Sequence, residues 1–202
     1  MKHKLIISLI AFAMATPAMA YLSIPIADDA DTYEHQMRVT GSISLESDLN
    51  LFGGRFTYGI RDGLAAFAGI GLADPDTGAY DSSPYFQFGG QYLLPVDLPV
   101  ELAVRGAFGM TSLGGSRGVR DLDIWTMNIG ALASMRIDDM FTVYGYGGLS
   151  HQDYDAGHYS DTETDPAIAA GAIITLNRNL SFFGELSHID ELFVSLGARF
   201  DF

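Results

Sequence analysis

The chain ends in Glu191-Leu-Phe-Val-Ser-Leu-Gly-Ala-Arg-Phe-Asp-Phe202, and this stretch decides the fold. Its even-numbered residues are all apolar, whereas most of its odd-numbered residues are polar, charged or glycine. Side chains of a β-strand alternate between the two faces of the sheet, so the pattern predicts a strand with one apolar and one polar face. A sheet built from such strands has one face that avoids water and one that carries charge.

Alternating runs of about ten residues recur from Met37 to the end of the chain. They predict an all-β fold, a closed antiparallel up-and-down barrel that spans residues 37–202. Ten runs can be distinguished, and an even number is the rule for single-chain bacterial membrane barrels. Eight strands are the alternative, because the run Leu64–Ala73 is apolar throughout and does not show which face it buries.

Two classes of connection alternate along these runs. The tight ones are rich in the Asp, Asn, Gly and Pro that turns require, and they are Arg61–Gly63, Pro95–Leu98, Ile137–Asp139 and Asn177–Asn179. The more variable ones are Ser47–Asn50, Asp74–Asp81, Ser112–Asp121, His151–Asp165 and His188–Asp190. Short turns at one end and longer loops at the other are typical of transmembrane barrels.

The first 20 residues have the pattern of a secretory signal peptide. A basic start at Lys2 and Lys4 precedes a short apolar run and the sequence Ala18-Met-Ala20, after which we expect cleavage. The apolar run is too short to span a bilayer of about 30 Å. Residues 21–36 are acidic and do not alternate, so we interpret them as a periplasmic lead-in; insertion into the mouth of the barrel is the alternative.

Composition excludes some functions. Removal of residues 1–20 takes away both lysines and leaves 11 − 2 = 9 basic residues against 25 acidic ones, a balance that gives nucleic acid binding no electrostatic support. The chain has no cysteine, so it forms no disulfide. It is 48% hydrophobic, and after Ala20 it contains no apolar run long enough for a transmembrane helix.

The alternation does not by itself show which face points inward. A soluble barrel would place its apolar face inside. The polar face of this chain carries Arg and Glu but no Lys, together with many Gly and Ser, which suits a crowded polar lumen. Aromatic residues lie toward the ends of the apolar face, as interfacial girdles do, at Phe52, Trp125, Phe141, Phe182, Phe200 and Phe202. We therefore predict a barrel in lipid.

With its alternation, its tight turns and its terminal phenylalanine, the segment from Met37 to Phe202 resembles the small outer-membrane barrels of the OmpA/OmpX-like superfamily. The resemblance implies a location in the outer membrane, contact with its lipid and lipopolysaccharide, and recognition of Phe200 and Phe202 by the barrel assembly machinery. Ten strands instead of eight and two very short outer loops depart from the family pattern.

Charged residues on the inward face are the first candidates for a function. Five of them are Arg55, Glu101, Arg105, Glu185 and Arg199. Buried charges persist only when they are paired. We expect a central Arg–Glu network that closes the lumen, with Tyr85, Tyr144, Tyr146, Phe183 and Phe193 filling the space around it. A narrow gated or cation-preferring pore is the alternative.

Acidic outer loops are the second candidates. Five aspartates could supply oxygen ligands to Ca²⁺, namely Asp74, Asp76, Asp81, Asp153 and Asp155. Their spacing is not that of an EF-hand, and a solvated acidic loop is the competing interpretation. A rim enzyme, either a protease or a lipid A-modifying one, is a further alternative. The alternation directs His188 away from Glu185 and Ser187, so no catalytic triad is expected there. We assign no catalytic residue, cofactor or resident metal, and we expect a structural or surface-interaction role.

Overall fold

The structure, a computed structural model, describes residues 25–46, 48–76, 78–116, 119–157, 160–189 and 191–202. The expected signal peptide and residues 21–24 lie outside them. The strands are β1 Met37–Leu45, β2 Leu49–Arg61, β3 Leu64–Pro75, β4 Ser83–Leu93, β5 Glu101–Leu113, β6 Leu122–Arg136, β7 Phe141–Asp155, β8 Ser160–Thr175, β9 Leu180–Ile189 and β10 Glu191–Asp201.

The ten strands form one closed barrel in which each strand pairs with its neighbours in sequence and β1 pairs with β10. The closing seam runs from Arg38 opposite Asp201 to Leu45 opposite Val194. Antiparallel pairing holds throughout, so the predicted ten-stranded up-and-down barrel is confirmed and the eight-stranded alternative is wrong. We call the end with Met37 and Asp201 the turn end, and the opposite end the loop end.

The ten-stranded sheet, which we call the wall of the barrel, directs its apolar face outward. On β10, Leu196 is 63% exposed, whereas its neighbour Ser195 is fully buried. The uniformly apolar third run follows the same rule, with Ala65 and Phe67 facing inward and Ile70 facing outward. Every strand contributes outward apolar side chains, among them Val39, Phe56, Ile70, Phe88, Val104, Ile129, Val143, Ile168, Leu186 and Leu196.

The hairpin between β7 and β8 is longer than the sequence predicts. Residues 151–165 were expected to form a loop, but β7 continues to Asp155 and β8 begins at Ser160. The strand alternation persists there, because Gln152 and Tyr154 face inward and the Tyr154 hydroxyl donates a 2.6 Å hydrogen bond to Gln152 Oε1. The expectation of a loop was therefore wrong for most of this segment; its polar composition concealed the cross-strand pairing with β6.

The interior near the loop end contains a cluster of apolar side chains. Twelve residues form this buried cluster: Leu49, Leu51, Ala73, Tyr80, Tyr85, Leu113, Leu122, Ile124, Tyr154, Ala167, Ile189 and Phe193. We call this cluster the apolar layer. Tyr85 and Phe193, which were expected to fill the lumen, belong to it, whereas its aliphatic members were not expected. Several of its members, such as Leu49 and Leu113, lie where the sequence predicts loops, so their inward direction was not recognised.

The rim at the loop end differs in height around the barrel. Pairing between β7 and β8 continues to Asp155 and Ser160, whereas pairing between β8 and β9 stops at Ile168 and His188. The rim is consequently low beside β9, β10 and β1, and raised beside β7 and β8. Within the described ranges, the chain forms no helix of the length and hydropathy that crossing a membrane would require.

Candidate functional site: the arginine layer and the inserted segment

Residues 25–32, which we call the inserted segment, lie inside the barrel. Ile26, Ala27, Asp28, Ala30 and Thr32 are all buried, although none of them belongs to a strand. Of the two positions considered for the lead-in, residues 25–32 have the one inside the barrel. The segment occupies the lumen between the turn end and the apolar layer.

A turn at residues 33–36 joins the inserted segment to β1. The His35 amide donates to Gly59 O at 2.9 Å, and the Gly59 amide donates to Gln36 O at 2.8 Å. The Gly63 amide donates to Thr32 O at 2.8 Å. Gly59 has no side chain to keep the turn away, since a Cβ there would overlap the carbonyl oxygen of Tyr33. The segment is therefore anchored to the wall at the turn end and reaches inward from it.

Asp28 lies among three arginines of the wall. Its Oδ1 accepts from Arg38 at 2.9 Å, and its Oδ2 accepts from Arg55 at 2.8 Å and from Arg105 at 3.1 Å. Arg55 also donates to the backbone oxygens of Pro25 and Ile26, at 2.6 and 2.5 Å. These charge-assisted bonds are of the strong class, and they fix the segment from both its side chain and its backbone. We call Arg38, Arg55, Arg105 and Arg199 the arginine layer.

Asp29 connects the two strands that close the barrel. Its Oδ1 lies 3.0 Å from Arg38 NH1 on β1 and 3.3 Å from Arg199 NH1 on β10. Asp201 adds a second bridge, at 2.6 Å from Arg38 Nε and 3.3 Å from Arg199 Nε. The seam is therefore held by contacts among four side chains, Arg38, Arg199, Asp29 and Asp201, as well as by its backbone ladder.

The two aspartates are ionised in this environment. Burial alone would raise the pKa of the Asp28 carboxyl, but Arg55, Arg38, Arg105 and Arg199 outweigh burial and hold the pKa well below its ordinary value. Burial acts on Asp29 in the same way, and Arg38 with Arg199 again lowers its pKa. A buried carboxylate is stable here because several guanidinium groups surround it.

Glu101 and Glu185 were expected to form ion pairs with the arginines, but they accept hydrogen bonds from other groups. Glu185 Oε2 accepts from the Tyr144 hydroxyl at 2.8 Å and from the Ala27 amide at 3.2 Å. Glu101 accepts from the Ser134 hydroxyl at 3.1 Å, and the Ser134 oxygen accepts from the Ala30 amide at 2.9 Å. The arginines form their ion pairs with aspartates, so the structure replaces the expected Arg–Glu network by an Arg–Asp network in which both glutamates hold the inserted segment.

Gln91 and Phe67 complete the surroundings of the arginines. Gln91 Oε1 accepts from Arg105 at 2.9 Å, while Gln91 Nε2 donates to Asp29 O and to Thr32 Oγ1, both at 3.1 Å. The guanidinium carbon of Arg105 lies 4.1 Å from the centre of the Phe67 ring, a cation–π geometry. Beside them, a cavity of about 20 Å³ is lined by Ile26, Arg105 and Asn128, and this volume suffices for one water molecule.

Most of the aromatic residues expected in the lumen pack against glycines of neighbouring strands. Tyr85, Tyr144, Phe183 and Phe193 are buried and Tyr146 is partly buried. A Cβ on Gly197 would lie 2.6 Å from the Phe183 ring, and one on Gly130 would lie 2.7 Å from the Tyr146 ring. Glycine at these positions leaves the space that the rings occupy.

The five aspartates of the expected calcium site do not come together. Asp74 accepts from Ser82, Asp76 accepts from Asn50, and Asp153 and Asp155 lie on β7. Among the described residues, the acidic side chains close enough to share an ion are Glu46, Asp48 and Glu191, at the low side of the rim. The sequence placed the acids correctly at the loop end but could not show which of them are neighbours.

The residues considered for a rim enzyme are also separated. His188 is exposed on the outward face, whereas Glu185 and Ser187 are buried on the inward face. His151 lies beside the Trp125 ring at 5.4 Å and hydrogen-bonds Thr164 Oγ1 at 2.8 Å.

Sequence reasoning missed Asp28, Asp29, Arg38, Gln91 and Asp201. Arg38 was accessible to it, because it alternates with the outward-facing Met37 and Val39. A second signal was the charge balance of the inward face, where arginines outnumber glutamates. That excess required acidic partners from outside the strands, and the lead-in contains Asp28 and Asp29.

No protein-family model and no curated protein matches the chain. Among solved structures, it is similar to the attachment invasion locus protein Ail of Yersinia pestis, with 18% identity over 85% of this chain and all of that one, at a TM-score of 0.41. The N-terminal β-barrel domain of Pseudomonas aeruginosa OprF matches with 12% identity over the same shares, also at 0.41. The KdgM porin in complex with disordered oligogalacturonate matches with 10% identity over 82% and 99%, at 0.47. We assign no family from likenesses at this level.

Proposed function

We propose that this protein is an integral outer-membrane barrel with a structural or surface-contact role and a closed lumen. The observation that carries the proposal is the band of exposed apolar side chains on all ten strands of a closed sheet. Soluble monomers rarely expose an apolar surface of this extent. A closed barrel pairs the backbone of every strand with its neighbours, which is the condition for a sheet to cross hydrocarbon.

Aromatic side chains on the outward face support the same location. Phe88, Phe108, Trp125 and His151 lie on four consecutive strands, and the centres of adjacent rings are 5.1, 6.0 and 5.4 Å apart. Phe200 and Phe202 contact each other edge to face near the turn end, at 4.8 Å. Aromatic girdles of this kind stabilise membrane barrels at the two interfaces. We further propose that Phe200 and Phe202 are read by the assembly machinery.

Two filled layers support a closed lumen in preference to a pore. The arginine layer binds the inserted segment in the half nearer the turn end, and the apolar layer fills the half nearer the loop end. Water and ions would have to displace both layers to pass through. Because the lumen is closed, contact with lipopolysaccharide or a surface partner would take place at the loop end, where the hairpin of β7 and β8 is raised.

Gel mobility and protease protection test the membrane location. The protein refolded in lipid vesicles is expected to migrate differently before and after boiling and to resist protease. Leu196→Arg places a charge in the apolar band and should reduce insertion, since a charge on the lipid-facing side costs about 2–4 kcal/mol at the midplane. Asp123→Arg, near the loop end of β6, is the matched control and should insert normally. Equal insertion of both variants would contradict the proposal.

Planar bilayer recordings test the closed lumen. Wild-type protein is expected to give no large steady channels, because both layers obstruct the path. Large and stable conductance from correctly inserted wild-type protein would favour the pore.

A further inference from the structure

The barrel binds the Asp28 carboxylate with the kind of side chains that proteins use to bind an anionic ligand. Three guanidinium groups from three separate strands converge on a single carboxylate that is fully buried. The wall supplies every donor in this set, and a segment outside the sheet supplies the acceptor. Arginine in this arrangement favours any carboxylate or phosphate, because its planar fork matches the oxygens of both groups.

The wall alone has an excess of positive charge at this level. Arg38, Arg55, Arg105 and Arg199 face the lumen, and the wall supplies Asp201 and Glu185 as acidic groups near them. The inserted segment places Asp28 and Asp29 at this level, where they pair with Arg55 and Arg199. Buried charges without partners are costly, so a barrel that lacks the segment at this place needs an anion there.

The inserted segment is held by side chains and not by strand pairing. It precedes the turn at residues 33–36, and residues 25–32 form no strand. Ala27, beside Asp28, has a φ of 43°, a backbone conformation that residues other than glycine rarely adopt. Arg55 binds the segment on both sides of Ala27, through Ile26 O and the Asp28 carboxylate.

We propose that the arginine layer is an anion-binding site and that Asp28 is its built-in ligand. A small carboxylate or phosphate, free or as part of a larger molecule, occupies the same guanidinium groups when the Asp28 carboxylate is absent. This inference goes beyond the proposed function and does not depend on membrane location.

Chemical rescue of Asp28→Ala tests the site. The substitution removes one carboxylate from a fully buried position, and formate, acetate or phosphate present during refolding should fill it. We expect each anion to raise the unfolding temperature of the variant by roughly 3–6 °C at about ten times its dissociation constant, and to leave the wild type unchanged. Chloride at equal ionic strength is the salt control, and Asp153→Ala on the loop end of β7 is the matched variant.

The comparison of formate and acetate with phosphate shows which anion the site prefers. If Asp28→Ala does not refold in chloride, its yield of heat-modifiable barrel becomes the measurement, and the anions should restore it. Equal effects of an anion on Asp28→Ala, Asp153→Ala and the wild type would overturn the proposal, as would the absence of any effect on Asp28→Ala. Membrane insertion of the wild type is measured separately and tests the proposed function alone.

Discussion

Arg38 on β1 and Asp201 on β10 lie directly opposite each other where the barrel closes, and their side chains form an ion pair at 2.6 Å. The first and last strands are thus joined by a charge pair as well as by backbone hydrogen bonds. Arg38 also binds Asp28 and Asp29, so the same guanidinium links the closing seam to the inserted segment. Arg38 therefore contributes both to closure of the sheet and to binding of the inserted segment.

Asp201→Asn should weaken the seam. The substitution removes the charge that faces Arg38 and Arg199, and hydrogen bonds to charged groups contribute about 1.5–3 kcal/mol. We expect the free energy of unfolding in urea to fall by about that amount. Asp97→Asn, in the exposed turn between β4 and β5, is the control and should have little effect. Equal stability of the two variants would show that the Arg38–Asp201 pair does not contribute.

Stability should decrease in acid because of the inserted segment. The pKa values of Asp28 and Asp29 are lower in the folded protein than in the unfolded chain, where they are near 3.9. Such groups stabilise the fold at pH values above the unfolded pKa, and this contribution is lost as the pH falls below about 4.

Unfolding of the wild type measured between pH 7 and pH 2 should show this loss. Asp28→Asn should be less stable than the wild type at pH 7 and should lose less stability on acidification. Parallel pH profiles for the two proteins would contradict the assignment of the acid sensitivity to Asp28.

Gly197→Ala should disturb the packing of the lumen. A Cβ at this position would overlap the carbonyl oxygen of Gly41 and would lie 2.6 Å from the Phe183 ring, so the backbone or the ring must move. Overpacking of this kind costs about 1–3 kcal/mol. Gly41 lies on the neighbouring strand near Gly197, and a Cβ there would meet no atom within 4 Å. Gly41→Ala is therefore the matched control; unfolding free energies that change equally in both variants would refute the close packing.

Leu51→Ala tests the apolar layer. Leu51 is 1% exposed and belongs to the cluster near the loop end, where large-to-small substitutions cost about 2–5 kcal/mol. Leu196→Ala changes the same side chain on the outward face, and we expect it to cost far less in detergent. The two variants are compared by urea unfolding. A smaller loss for Leu51→Ala than for Leu196→Ala would show that this end of the lumen is not a packed core.

Much of the architecture could be predicted because the signal is local. The alternation of Leu192, Val194 and Leu196 with Ser195 and Arg199 indicates a strand and its two faces without knowledge of any neighbour. Repetition of the pattern predicted ten strands, and tight turns between them implied antiparallel pairing. The charged residues share one face of the strands, and a crowded polar lumen accounts for them. The apolar face is then expected to point outward.

The contents of the lumen could not be predicted in the same way. Asp28 is 27 residues from Arg55 and 77 residues from Arg105 along the chain, and nothing in its neighbourhood indicates that these groups meet. Leu49 and Leu113 extend beyond the recognisable alternating runs, so the apolar layer was not apparent.

The sequence by itself indicated the strands and the two faces of each, because a period of two is a property of each strand alone. Only the tertiary structure decided which acid each arginine binds and which half of the lumen is apolar. Those choices depend on the diameter of the closed barrel and on the distances across it, and these arise only when β1 meets β10.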